Sequence, residues 1–176
     1  MNSNELSELL KSWDNLRALL KASEDASQIH LLVCIATDDS KPEHWRAAWL
    51  IDKANETDKN LLLPHLPDIY ASIRTIGNYS HIRHFLRIIN THPIPEDEQI
   101  PLFDLCINLF SNNDIPVAVR ANAMELAYSI VKLNPELHPE MKQLLEFILE
   151  QYSSAGIRAK AKNLLTYLSK IQTTTQ

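Results

Sequence analysis

Four arginines, Arg46, Arg83, Arg120 and Arg158, recur at intervals of 37, 37 and 38 residues. Each follows a bulky apolar residue (Trp45, Ile82, Val119, Ile157), and the residue three positions after each is apolar too (Trp49, Leu86, Ala123, Ala161). A second ladder keeps the same phase. Pro64, Pro101 and Pro139 are spaced 37 and 38 apart, and Leu66, Phe103 or Met141 stands two residues beyond each. Further along, Leu32, Ile69, Cys106 and Leu144 align, followed by Val33, Tyr70, Ile107 and Leu145. A period of this length means one supersecondary unit repeated. No single unit can bury its own apolar face, so neighbouring units must stack to close the core.

The content of each unit is helical. Leu6, Leu9, Leu10, Trp13, Leu16, Leu19 and Leu20 follow the i, i+3, i+4, i+7 spacing of one helix face, and no segment alternates as a strand would. The spacing predicts first helices over 27–37, 60–76, 98–111 and 137–151 and second helices over 41–54, 79–90, 115–132 and 154–170. Polar turns join them at Asp38-Asp39-Ser40, Gly77-Asn78, Ser111-Asn112-Asn113-Asp114 and Tyr152-Ser153. Ser3 or Asn4 is expected to cap the first helix. Ser40 and Asp114, each two residues before a proline (Pro42, Pro116), are expected to cap second helices, Ser40 in a capping box with Glu43.

Asp114-Ile-Pro-Val-Ala-Val-Arg120, the prolines of the first helices and the period resemble the HEAT-repeat, armadillo-like α-solenoid family. Tyr79 and Ser154 depart from the pattern by replacing the early proline. The resemblance implies an all-α fold, a right-handed α–α superhelix of about four helix pairs. One solenoid domain is expected over 1–176: an N-terminal capping helix at 4–21, repeats at 27–56, 57–93, 94–132 and 133–170, and a tail at 171–176. It also implies that the repeat arginines Arg46, Arg83, Arg120 and Arg158 are structural, each tied to an acid or a helix end. Leu86, Ile107, Ala123, Leu145 and Ala161 are expected in the core.

Composition narrows the chemistry. Two glycines, Gly77 and Gly156, exclude glycine-rich phosphate loops and dinucleotide fingerprints. The net charge of −5 disfavours nucleic acid as a partner. Cys34 and Cys106 both stand in apolar stretches, which reads as two packed thiols in a reduced, cytoplasmic protein. No signal peptide is visible at the first residues, and no apolar run is long enough to span a membrane.

Charge is uneven: −5 over residues 1–68, +3 over 69–95, −7 over 96–150 and +4 over 153–176. Ser80-His-Ile-Arg-His-Phe-Leu-Arg87 concentrates cations on one second helix, so His81, Arg83, His84 and Arg87 are the candidate binding residues for an acidic peptide or phosphate. A solvated helix face is the plainer explanation of the same stretch. His81 and His84, at i and i+3, could share a metal, and His44 holds the same repeat position as His81, but no cysteine or His-Glu-x-x-His motif accompanies them, and neither metal nor cofactor is expected. Trp45, Trp49 and Asp52 lie on one helix, the combination by which helical-repeat DNA glycosylases hold alkylated bases. Core packing of the tryptophans is the competing explanation. The expected function is a non-catalytic scaffold that presents its second helices to a protein or peptide, with the glycosylase-like enzyme as the alternative.

Overall fold

The computed structural model describes residues 1–151 and 154–173; the expected turn Tyr152-Ser153 and the end of the expected tail, 174–176, lie outside them. Among the described residues there are ten α-helices and no strand: α1 (Ser3–Leu10), α2 (Leu16–Ala22), α3 (Ala26–Ala36), α4 (His44–Thr57), α5 (Leu66–Ser72), α6 (Tyr79–Ile89), α7 (Glu96–Ser111), α8 (Val117–Leu133), α9 (His138–Glu150) and α10 (Ala155–Thr173). They form two compact units, Met1–Pro93 and Ile94–Gln176. Contacts in a stacked repeat run only between neighbours, so such a chain can part between any two of its units.

In the first unit α3 packs on α4 and α5 on α6 as helix pairs, and α4 packs side by side with α6. The expected single capping helix at 4–21 is two helices. Ser12 Oγ donates to Asp14 Oδ2 at 2.6 Å and accepts the Asp14 amide at 3.1 Å, so short polar side chains compete for the backbone and open the helix between α1 and α2. α1 then packs on α3, and α2 on α4. The N-terminus is therefore a short helix pair stacked like the others. Its cap is Asn2, not Ser3 or Asn4: Asn2 Oδ1 accepts the Glu5 amide and Glu5 returns a bond to the Asn2 amide, both at 2.9 Å.

The first helix expected over 60–76 is also divided. Lys59–His65 is a 3-10 segment and α5 follows it, because Pro64 and Pro67 lack the amide hydrogens that a continuous α-helix needs. Two expected caps are absent. Ser40 gives its amide and hydroxyl to Asp38, and α4 begins only at His44. The Asp114 amide is held by Asn112, and α8 starts behind Pro116 without a side-chain cap.

In the second unit α7 packs on α8, α9 on α10, and α8 lies beside α10. Glu96, Asp97 and Glu98 crowd the first turn of α7, where the helix dipole is positive. Leu86, Ala123, Leu145 and Ala161 are fully buried. Ile107 is half-buried, one position off the α7 line that buries Phe103, Cys106 and Phe110. Cys106 is buried, and burial pushes its thiol well above the usual range. Cys34, expected on a packing face, is exposed with its sulfur 3.8 Å from His30 Nε2.

Candidate functional site

The cation-rich stretch forms α6, started by Asn78, whose side chain accepts the His81 amide at 3.2 Å. α6 lies beside α4, and across that contact the four candidate residues separate into two groups. His81 and His84 are buried, so neither presents a ring to solvent as a surface contact would require. Arg83 and Arg87 are half-buried and reach the surface.

His84 occupies the repeat position that holds alanine in the other units, and its ring turns toward α4. His84 Nδ1 lies 2.7 Å from Asp52 Oδ2 and its Nε2 lies 3.2 Å from the Arg83 guanidinium. An arginine can only donate, so Nε2 accepts from Arg83 and Nδ1 donates to Asp52. Asp52, with 2% of its side chain exposed, also pairs with Arg87 at 3.2 Å. Arg87 pairs further with Glu56, which Lys53 holds at 2.7 Å. The Lys53 bond, and the Arg87 bond after it, keep the Glu56 carboxyl below its ordinary range. Arg83, Arg87 and His84 therefore belong to one network that ties α6 to α4. Sequence reasoning missed the acids on α4. The signal was there: Asp52 precedes Arg87 by 35 residues, and Glu125 precedes its partner Lys160 by the same 35.

His81 sits deeper. Its ring lies 4.6 Å from that of His44 and 4.3 Å from that of Phe85, and neither ring nitrogen has a hydrogen-bond partner. Burial, with His44 and His84 nearby, pulls its pKa down to about 3. His44 Nδ1 is 3.2 Å from Asp39 Oδ1 but not at a hydrogen-bonding angle. With His84 turned to Asp52, the three histidines do not converge. Among the described residues no group of three or more His, Cys, Asp or Glu side chains is placed to hold a metal ion.

The tryptophans of α4 are half-buried. Trp13 stands edge-on to Trp45 at 5.8 Å and to Trp49 at 5.1 Å, and the Arg46 guanidinium lies over the Trp45 ring at 4.6 Å. Trp13 is thus edge-on to both α4 tryptophans, and the Asp52 carboxylate is engaged by His84 and Arg87.

The repeat arginines reach helix ends. Arg46 donates to Leu10 O at the end of α1 at 3.2 Å, Arg120 to Phe110 O in α7 at 2.9 Å, and Arg158 to Leu149 O in α9 at 3.0 Å. Each guanidinium meets the negative end of a helix dipole and a carbonyl that has no partner within its own helix. Arg120 and Arg158 thereby lock the two helices of one pair, whereas Arg46 crosses to the preceding pair. Arg83 departs from the pattern by meeting His84.

Paired helices with this recurring arginine define an α-helical repeat protein. The HEAT repeat domain family matches residues 3–168, nearly the whole chain, and the chain belongs to that family. Comparison with curated proteins and with solved structures returns no significant match. No helix among the described residues is long and apolar enough to cross a membrane.

Proposed function

We propose that this protein is a non-catalytic binding scaffold whose second helices receive a protein or peptide partner. HEAT-repeat folds generally serve as interaction scaffolds. The observation that carries the reading is the residual surface of those helices: after packing, Arg87 on α6 keeps 39% of its side chain exposed and Tyr167 on α10 is 49% exposed. In the first unit the proposed contacts are Arg83 and Arg87. Asp52 and Glu56 hold the Arg87 guanidinium in one place, which lowers the entropy lost when a partner accepts a hydrogen bond from its remaining exposed N–H groups. His81 and His84 support this surface from beneath.

The glycosylase-like alternative needs a free aspartate, and Asp52 is engaged by His84 and Arg87. The test is affinity capture from the native cell with cross-linking. Cross-links from a specific partner to α4, α6, α8 or α10 support the reading. Cross-links confined to the first helices overturn it, and so does the absence of any partner.

A further inference from the structure

In the first unit, away from the histidines of α4 and α6, α3 carries an exposed pair one turn apart: Cys34 Sγ lies 3.8 Å from His30 Nε2. Residues at i and i+4 share one helix face, so the helix itself sets this separation. α3 packs on the 3-10 segment Lys59–His65, and the half-buried His65 that ends the segment brings its ring to 5.5 Å from that of His30, at a tilt of 35°. Packing thus gathers a thiol and two imidazoles. Their separations are close to those of ligands on one tetrahedral ion. Bonds of about 2.3 Å from zinc to sulfur and about 2.0 Å to nitrogen put those two donor atoms about 3.6 Å apart, and the centroids of two ligating imidazoles about 5 Å apart. As they stand the three side chains are not placed to hold an ion. The His30–Cys34 pair is already set, and a turn of the His65 ring about its side-chain bonds closes the group. Burial, with His30 beside it, holds the His65 pKa below its ordinary value, so at neutral pH this ring keeps the lone pair a metal needs. Asp68, one turn beyond His65, acts on it with the opposite sign and offers negative charge to offset a dication.

We infer that His30, Cys34 and His65 bind a transition-metal ion of the zinc class where α3 meets the end of the 3-10 segment, with water completing its four ligands. The donor set selects the ion: a thiolate with two imidazoles suits zinc, whereas magnesium and calcium take oxygen ligands. On binding, the Cys34 proton passes to solvent and a sulfur–metal bond replaces the contact between the thiol and His30; no electron is transferred. The ion ties the 3-10 segment to α3. This inference does not depend on the scaffold reading, which concerns the second helices.

The test adds Co²⁺, which reports zinc sites by its absorption, to the full chain with a non-thiol reductant. One equivalent brings the visible bands of a tetrahedral ion and a near-ultraviolet thiolate-to-cobalt charge-transfer band, and Zn²⁺ displaces both. Cys34→Ser loses the charge-transfer band. His30→Asn and His65→Asn each weaken Co²⁺ binding about tenfold or more, with the circular dichroism unchanged. Zn²⁺ slows maleimide labelling of Cys34 and Mg²⁺ does not. A charge-transfer band that survives Cys34→Ser, or none in the unaltered chain, overturns the inference. Unchanged affinity in His65→Asn leaves a two-residue chelate on α3 and overturns it too. If sedimentation shows a dimer that forms only with Zn²⁺ and is lost in Cys34→Ser, the ion sits between two copies and the inference also fails.

Discussion

Asp52 and Arg87, 35 residues apart, form an ion pair at 3.2 Å across α4 and α6 with the carboxylate almost wholly buried. The pair changes what a substitution at Arg87 does. From the sequence, reversing its charge is expected to weaken binding and leave stability nearly intact. In the structure Arg87→Glu puts a third carboxylate beside Asp52 and Glu56 and strips a buried acid of one of its two partners. We expect a loss of about 2 kcal/mol in urea unfolding, below the roughly 3–5 kcal/mol of a fully buried broken pair because Arg87 is itself part-exposed. Asp52→Asn in the same background should recover part of that loss. No loss on Arg87→Glu would mean that His84 alone satisfies Asp52.

Acid should destabilise the first unit through His81. Its folded pKa of about 3 lies below its unfolded value of 6.5, so the unfolded chain takes up the proton first. The stability this group contributes is full above 6.5 and is lost as pH falls toward 3. The loss comes to about 3 kcal/mol between pH 7 and pH 4. His81→Leu, which keeps the volume and removes the titrating ring, should flatten the unfolding free energy over that interval by about that amount. An unaltered slope would assign the sensitivity to other groups.

Two repeat arginines should separate by burial. Arg120 is buried and its Nε donates to Phe110 O, so Arg120→Ala leaves a buried carbonyl without a partner and should cost about 2 kcal/mol. Arg158 makes the corresponding bond to Leu149 O in an exposed position, where water replaces it, and Arg158→Ala should change stability by no more than about 0.5 kcal/mol. Equal effects at both sites would show that the helix-end contact matters irrespective of solvent.

Ala123 is fully buried in the second unit. Ala123→Asp places an unpaired carboxylate in a packed interface and should cost several kcal/mol, about 3 or more. Ala159, exposed on the neighbouring second helix α10, is the matched control: Ala159→Asp should leave the melting temperature within about 1–2 °C.

The helix pairs, their period and the arginine at each second helix were all legible in the chain, because periodicity, proline placement and a repeated residue are local properties that survive without coordinates. So were most of the core positions: Leu86, Ala123, Leu145 and Ala161 are buried where the repeat places them. What the sequence left open was the direction in which each side chain on a recognised helix faces its neighbour. His81, Arg83, His84 and Arg87 read as one basic patch because Asp52 and Glu56, the acids that meet His84 and Arg87, lie about a whole repeat away. Only the side-by-side packing of α4 and α6 turns two of them inward and ties Arg87 to acids. The break between α1 and α2 has the same origin in competition: the apolar spacing of Leu6 to Leu20 continues through it, while the Ser12 and Asp14 hydrogen bonds and the packing of α1 on α3 and α2 on α4 make two short helices better than one. Local pattern settled which residues are helical and repeated. Tertiary packing decided which charges meet, because a side chain's partner is chosen by the neighbouring helix and not by its place in the chain.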